Sequence, residues 1–167
     1  SAASDVYKRQ AYFRLAVNPD DDEALRRIIN YPARGIGETT VGKLTRAAIE
    51  GRGSIWEVLN DPQKYMLSVN SGTARKLAGF RDLVAGFVEA DRNGADAAAL
   101  ATMIISRTAM LTSLMTDTTP ENMSKQENLQ EILTNVQEFV DTRNEEGIAD
   151  VSMTDFLAEV PLATDQD

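Results

Sequence analysis

The sequence predicts an all-α domain, folded as an irregular orthogonal bundle of helices. Apolar residues recur at intervals of three and four in several stretches, of which the two longest lie at 73–92 and 121–144. No stretch alternates polar and apolar residues in the manner of a half-buried strand. The chain has 167 residues, of which 43% are hydrophobic, so it is long enough to bury a core of its own.

Helix start and stop signals divide the first part of the chain. A helix is predicted at 20–30, where Asp20 and Glu23 form a capping box and Pro32 prevents continuation beyond the end. A second helix is predicted from about residue 39 to Gly51, which serves as its C-cap. The residues of this second helix that we expect to point inward are Val41, Leu44, Ala48 and Ile49.

A short helix follows Ser54, which forms a second capping box with Glu57. Trp56 lies at a helical spacing in this segment, so we expect it to anchor the core, and stacking on a nucleic-acid base is the alternative. A loop at 61–72 then leads into the first long helix, whose apolar face is predicted to contain Leu77, Phe80, Leu83, Val84, Phe87 and Val88.

The second half of the chain continues with helices. A helix predicted at 96–107 is followed by a short apolar segment at 110–115 and a polar turn at 116–120. A final short helix is predicted to begin after Ser152. We expect the second long helix to pack directly on the first, through Phe80, Phe87, Leu133 and Phe139.

The residue types that are absent exclude several classes of site. The sequence has no cysteine and no histidine, which removes disulfides, thiol nucleophiles, serine–histidine dyads and zinc centres. Carboxylates spaced four apart, such as Glu127 and Glu131, are typical of solvated helix faces, so we predict no catalytic residue and no metal site. No stretch approaches the ~18 apolar residues of a membrane helix, and the absence of cysteine fits a reducing cytoplasm.

Charge is distributed unevenly along the chain, whose net charge is −9. Between Arg26 and Arg52 there are six basic and two acidic residues, whereas from Thr116 onward there are thirteen acidic and two basic ones. An acidic surface repels nucleic acid, so any binding to DNA is expected to be confined to the basic segment at 26–52.

The basic segment surrounds a glycine turn between the first two predicted helices. Gly35 and Gly37 flank Ile36, a pattern that permits unusual φ at both glycines while Ile36 inserts into the core. The N–H groups that open the following helix would face the turn and suit a phosphate. We therefore predict contacts to a nucleic-acid backbone from Arg34, Gly35, Ile36, Gly37, Thr39, Thr40, Lys43 and Arg46.

Two other interpretations of this stretch are open. Residues 37–43 match the first seven positions of a nucleotide-binding P-loop, but Leu44 stands where a serine or threonine should hold magnesium, and no apolar strand precedes the match. The stretch is also compatible with a purely structural helix–turn–helix that binds no ligand.

Three motifs occur in order along the first part of the chain: Tyr-x-Arg-Leu at 12–15, Asn-x-x-Asp-Asp at 18–22 and Asn-x-Pro-x-Arg-Gly-Ile-Gly at 30–37. Together they resemble the UvrD/PcrA/Rep family of superfamily 1 DNA helicases. The resemblance resumes further along the chain at 54–57, 127–131 and 156–157.

The resemblance implies a domain organisation. Residues 19–160 would be the helical 2B subdomain, which in this family is inserted into the second motor domain. Residues 11–18 would end a motor-domain helix, exposing apolar surface when cut from its partner, and 161–167 would begin the linker that returns to that domain.

The resemblance also implies a function. The intact parent would be an ATP-dependent 3′ to 5′ DNA helicase that uses ATP and magnesium in motor domains outside this chain. The segment itself would carry no cofactor and no ATPase motif, and would contact double-stranded DNA and the motor domains. A regulatory module that binds other proteins is the alternative. A duplex-gripping hairpin of a DNA repair glycosylase is a third alternative. In that family a catalytic aspartate or lysine follows the hairpin closely, and no such pairing of hairpin and catalytic residue appears in this sequence.

Residues 1–10 look foreign to the rest of the chain. The run from Asp5 to Gln10 resembles a translated transposon end from sequencing-library preparation. We therefore predict that this segment is non-native and exclude it from the reasoning about the fold.

Overall fold

The structure, a computed structural model, describes residues 2–108 and 119–160, with side chains from residue 5 onward. All regular structure in these ranges is helical, which confirms the predicted fold class, and none of the helices is both long and apolar enough to cross a bilayer. The helices are α1 (Ala2–Val17), α2 (Asp22–Ile28), α3 (Glu38–Glu50), α4 (Ile55–Asn60), α5 (Ser71–Arg92), α6 (Ala97–Arg107), α7 (Pro120–Glu145) and α8 (Met153–Glu159).

The bundle assembles around α1, which contacts α2, α5, α6, α7 and α8. The expectation that residues 11–18 expose apolar surface is wrong, because the other helices surround this segment. Five of its residues are at most 1% exposed, namely Ala11, Tyr12, Phe13, Leu15 and Ala16.

The two long helices, α5 and α7, lie where the sequence predicted them but do not pack directly on each other. Both contact α6 and α1, which separate them, and α5 and α7 share no substantial contact of their own. Phe139 of α7 instead meets Phe156 of α8 edge-on, with ring centroids 5.4 Å apart. The prediction of a direct pairing is therefore wrong, because an apolar stripe shows that a face is buried without specifying its partner.

Helix caps follow the sequence signals with one change. The hydroxyls of Ser54 and Ser152 accept hydrogen bonds from the third N–H group along, at 3.1 and 3.3 Å, and so cap α4 and α8. At α2 the cap is Asp21, which accepts from the N–H of Ala24 at 3.0 Å. Asp20, the predicted cap, accepts instead from the Ser54 hydroxyl at 2.6 Å, so it ties the start of α2 to the start of α4.

Two predicted core positions are displaced towards the surface. Ile49 is 71% exposed and Ala47 takes the inward position on α3, so the prediction for Ile49 is wrong. Trp56 is half-buried and packs at the edge of the core rather than anchoring it. The inward face of α4 is formed by Ile55, Val58 and Leu59.

Some predicted segments lie outside the residues that the structure describes. These are the apolar segment at 110–115, most of the polar turn at 116–120 and the linker at 161–167. The division of the chain into 11–18 and 19–160 stays a prediction. Residues on both sides of that boundary belong to one hydrophobic core.

The beginning of α1 carries polar side chains at inward positions. Asp5, Arg9 and Gln10 are 8%, 2% and 9% exposed, and Nε and one terminal nitrogen of Arg9 have no hydrogen-bond partner. A buried donor left without a partner costs about 1–3 kcal/mol. Such positions suit apolar residues better, and the non-native origin of residues 1–10 stays a prediction.

Replacing Arg9 by leucine is expected to raise the free energy of unfolding by about 1–3 kcal/mol, because two unsatisfied buried donors are removed. The gain should exceed the loss of the hydrogen bond between Arg9 and Tyr31. Urea unfolding followed by circular dichroism measures it. Arg26→Leu, on the exposed side of α2, is the matched control and should change stability by less than about 0.5 kcal/mol. A destabilising Arg9→Leu would show that the bundle accommodates the Arg9 side chain better than its unpaired nitrogens indicate.

Candidate nucleic-acid interface

The segment between α2 and α3 is a turn folded around one asparagine. The Oδ1 atom of Asn30 accepts hydrogen bonds from the backbone N–H groups of Arg34, at 2.7 Å, and Ile36, at 3.2 Å. The side chain of Ile36 is 1% exposed and anchors the turn in the core, as predicted. Gly35 and Gly37, on either side of it, are left on the surface.

The two glycines of the turn have different conformations. Gly35 has a φ of +76°, in the left-handed region that disfavours a β-carbon. Gly37 has φ −87° and ψ 177°, an extended conformation that any residue adopts, and it is the N-cap of α3. The expectation of unusual φ at both glycines is therefore wrong for Gly37, where a β-carbon would meet no atom within 4 Å.

The N-terminus of α3 opens directly from the turn. Gly37 has no side chain to cap the helix, so the first N–H groups of α3 are available to an external acceptor. Thr39 is exposed and Thr40 is half-buried beside them. Lys43 and Arg46 are exposed further along α3, three residues apart and hence on neighbouring positions of the helix surface. The structure thus brings these four predicted side chains to one helix.

Arg34 is half-buried, and its guanidinium group is bound to neighbouring parts of the bundle. One terminal nitrogen donates hydrogen bonds to the backbone carbonyls of Ile28, Ile29 and Tyr31, at 2.7, 3.2 and 3.1 Å. The other terminal nitrogen donates to the hydroxyl of Tyr12 on α1. Burial raises the pKa of Tyr12, and the positive charge of Arg34 opposes that rise. Because these contacts occupy the guanidinium, we exclude Arg34 from the set that is available to a phosphate.

The same geometry decides the P-loop alternative. Residues 37–43 form the N-cap and the first turns of α3, not a loop wrapped around a phosphate chain. The residues before them, 29–36, form the turn itself rather than a buried strand. The P-loop interpretation of this stretch is therefore wrong.

A lysine that the sequence analysis missed lies beside the turn. Lys76 of α5 is exposed, and its Nζ atom donates to the carbonyl oxygen of Gly35 at 3.4 Å. The two residues are 41 positions apart, so no local pattern assigns Lys76 to the basic segment. Lys43 also approaches this part of the chain, since its Nζ lies 3.5 Å from the carbonyl oxygen of Ser68, shortly before α5.

A separate groove of about 720 Å³ is lined by residues of α1, α7 and α8 and by none of the glycine turn. Its walls include four carboxylates, of Glu131, Glu138, Glu146 and Glu159, and two guanidinium groups, of Arg9 and Arg143. Its apolar part includes Ile132, Phe139, Phe156 and Val160. Because carboxylates outnumber guanidinium groups in this acidic groove, it is less suited to a polyanion than the glycine turn, which is therefore the candidate interface for nucleic acid.

Comparison with known families decides the relationship of this chain. The sequence profile of the UvrD-like helicase C-terminal domain matches residues 5–167. The chain belongs to the UvrD-like helicase C-terminal domain family. The match includes residues 5–10, whose non-native origin stays a prediction.

Curated relatives of this UvrD-like domain carry helicase names. ATP-dependent DNA helicase PcrA of Bacillus subtilis (strain 168) is 30% identical over 158 residues, which cover 94% of this chain and 20% of that protein. DNA helicase II of Haemophilus influenzae is 29% identical over 153 residues, covering 91% of this chain and 20% of that protein. PcrA of Leuconostoc citreum is 26% identical over 158 residues, covering 94% and 21%. The UvrD-like domain thus spans about one fifth of the length of these relatives.

Arg34→Lys is expected to lower the free energy of unfolding by about 1–3 kcal/mol, because a lysine ammonium cannot replace the planar fork that serves three carbonyls and a hydroxyl. Urea unfolding measures the change. Arg46→Lys, at an exposed position of α3, is the control and should cost less than about 0.5 kcal/mol. Equal effects of the two substitutions would contradict a structural role for Arg34.

Gly35→Ala is expected to destabilise the domain by about 1–2 kcal/mol, because an L residue is strained at a φ of +76°. Its β-carbon would also lie 2.8 Å from Nζ of Lys76. Gly37→Ser is the matched control, since serine accepts the φ there and can cap α3, which should leave stability equal or raise it by a few tenths of a kcal/mol. Urea unfolding of both variants checks this, and a similar cost at the two positions would contradict the described turn.

Proposed function

We propose that this UvrD-like domain is the 2B subdomain of an ATP-dependent 3′ to 5′ DNA helicase, and that it holds double-stranded DNA by its phosphates without reading the sequence. The observation that carries the proposal is the solvent-facing N-terminus of α3, which opens at Gly37 and is followed by the exposed cations of Lys43 and Arg46. The names of the relatives, which are DNA helicases, support DNA as the ligand.

Three kinds of group are available to a phosphate at this position. The N–H groups of the first turn of α3 point towards it, and the helix dipole adds partial positive charge. The hydroxyls of Thr39 and Thr40 supply further hydrogen bonds, and Lys43 and Arg46 supply full charges. All of these contacts go to the nucleic-acid backbone, which carries no sequence information. Such a grip suits a protein that moves along DNA of any sequence.

The remaining residues of the predicted set support the turn rather than contact the ligand through side chains. Ile36 fixes the turn to the core, and Gly35 provides the left-handed backbone conformation. Arg34 holds the end of α2 from inside. The proposed contacts are therefore the backbone of 35–37 and the side chains of Thr39, Thr40, Lys43 and Arg46.

We place ATP hydrolysis in other parts of the proposed parent protein. The domain spans about one fifth of the length of its relatives, and ATP and magnesium would bind to motor domains in the remaining sequence, which would also contact this domain. Within the described ranges no three carboxylates gather in a group that would hold a metal ion. In this proposal the isolated domain binds duplex DNA, and ATP hydrolysis belongs to the motor domains.

A second candidate function, a regulatory module that binds another protein, is favoured by the part of the acidic groove that α7 and α8 form, since the α1 wall lies in residues 1–10, which are predicted to be non-native. The combination of apolar residues with four carboxylates suits a partner that is both apolar and basic. Because the groove and the glycine turn share no lining residue, substitutions at the turn separate the two candidates.

Lys43→Ala is expected to weaken binding to duplex DNA equally for all sequences and to make the salt dependence shallower. Each neutralised phosphate contributes about −0.9 to the slope of log affinity against log salt, so a few contacts give a slope near −2 to −3 for the unchanged protein. Removing one contact should reduce the slope by about one unit. Fluorescence anisotropy with two duplexes of unrelated sequence, titrated with salt, measures both quantities.

The control for this experiment is Lys125→Ala on α7, which removes the same charge from a side chain that pairs with Glu121. It should leave both affinity and slope close to those of the unchanged protein. If Lys43→Ala folds normally and binds as Lys125→Ala does, the glycine turn is only structural, and the protein-binding candidate takes its place.

A further inference from the structure

The basic segment of the sequence does not contain all the positive charge at the glycine turn. Lys76 belongs to α5, yet its ammonium group lies over the turn, where it donates to the carbonyl oxygen of Gly35 at 3.4 Å. The side chain of Lys76 is exposed, so the ammonium keeps access to solvent and to a ligand. Two elements that are distant in sequence therefore converge at this surface.

This approach depends on the absence of a side chain at Gly35. A β-carbon there would lie 2.8 Å from Nζ and 3.3 Å from Cε of Lys76. Any other residue at this position would displace the ammonium group. The glycine thus serves two purposes, since it adopts the left-handed φ and also leaves the space in which Lys76 reaches the turn.

The electrostatic setting of Lys76 favours an anion as its partner. Within the described parts of the chain its ammonium forms no ion pair, and its hydrogen bond goes to a neutral carbonyl. It lies beside the turn that leads into the N-terminus of α3, which carries partial positive charge. The carboxylate of Glu38, in the first turn of that helix, opposes this positive charge in part. A phosphate placed here would complement both the ammonium and the helix terminus.

We propose that Lys76 is a phosphate contact of the same interface, so that the DNA backbone is held between the glycine turn and α5. The inference rests on the proposed function of the turn and extends it to a second element. On binding, the ammonium of Lys76 exchanges the Gly35 carbonyl for a phosphate oxygen, which is a stronger acceptor because it is charged.

The spacing along α3 indicates how the contacts are shared along one strand. Lys43 lies six residues beyond Gly37, a rise of about 9 Å along the helix axis. Successive phosphates of one strand are spaced about 3.4 Å along the duplex axis. For an α3 that runs along the duplex axis, Lys76 and the first turn of α3 would take one phosphate, and Lys43 would take another that is two or three nucleotides away.

The test compares the salt dependence of duplex binding for four variants of the chain. Lys76→Gln should reduce the slope by about one unit. Between 50 and 200 mM salt, the factor by which the affinity of this variant falls should then be about 3-fold smaller than the factor for the unchanged protein. Lys76→Arg keeps the charge and should restore the slope. Arg92→Gln is the matched control at the far end of α5, about 24 Å along the helix from Lys76, and should behave as the unchanged protein. Lys43→Ala reports on the proposed function itself.

The outcomes separate the two proposals. If Lys43→Ala reduces the slope and Lys76→Gln does not, the role of Lys76 is overturned while the proposed function stands. If neither reduces the slope, both proposals fail. If Lys76→Gln weakens binding with an unchanged slope, and Lys76→Arg does not restore it, Lys76 only supports the turn and the inference is wrong. Urea unfolding of each variant identifies any loss that comes from the fold.

Discussion

The hydrogen bonds of the Arg34 guanidinium are the constraint on which the candidate interface depends. They satisfy the carbonyls that end α2, reach the hydroxyl of Tyr12 on α1, and leave the guanidinium carbon 5.2 Å from the ring centre of Phe80 on α5. Three helices are thereby fixed against the turn from the inside. An interface that consists largely of backbone N–H groups requires such support, since those groups cannot adjust to a ligand as a long side chain does.

Local signals in the sequence predicted local structure. The caps at Ser54 and Ser152, the two long helices and the end of α3 at Gly51 depend on neighbouring residues, and the structure confirms them. The partners of the helices were not predictable in the same way. The apolar stripes of α5 and α7 state that each helix has a buried face, but only the three-dimensional packing shows that α6 and α1 occupy the space between them.

The candidate site was predictable where it is contiguous in sequence. The burial of Ile36 and the exposure of Lys43 and Arg46 follow from the glycine pattern and the helical period. The sequence groups Arg34 with the surface cations, because its hydrogen-bond acceptors are backbone carbonyls. Every residue has such a carbonyl, so no residue type in the sequence reveals these contacts. Lys76 was missed for the opposite reason, since only the fold brings α5 over Gly35.

The separation of charge along the chain gives the domain a permanent electric dipole moment. The cations of α3 lie on a helix whose main neighbour is α4, whereas the carboxylates of α7 and α8 gather around a different part of the core. In the field of a polyanionic rod such a molecule experiences a torque as well as a force. In the proposed role this torque would orient collisions with DNA before contact, and productive encounters would become more frequent at low ionic strength than a net charge of −9 alone would suggest.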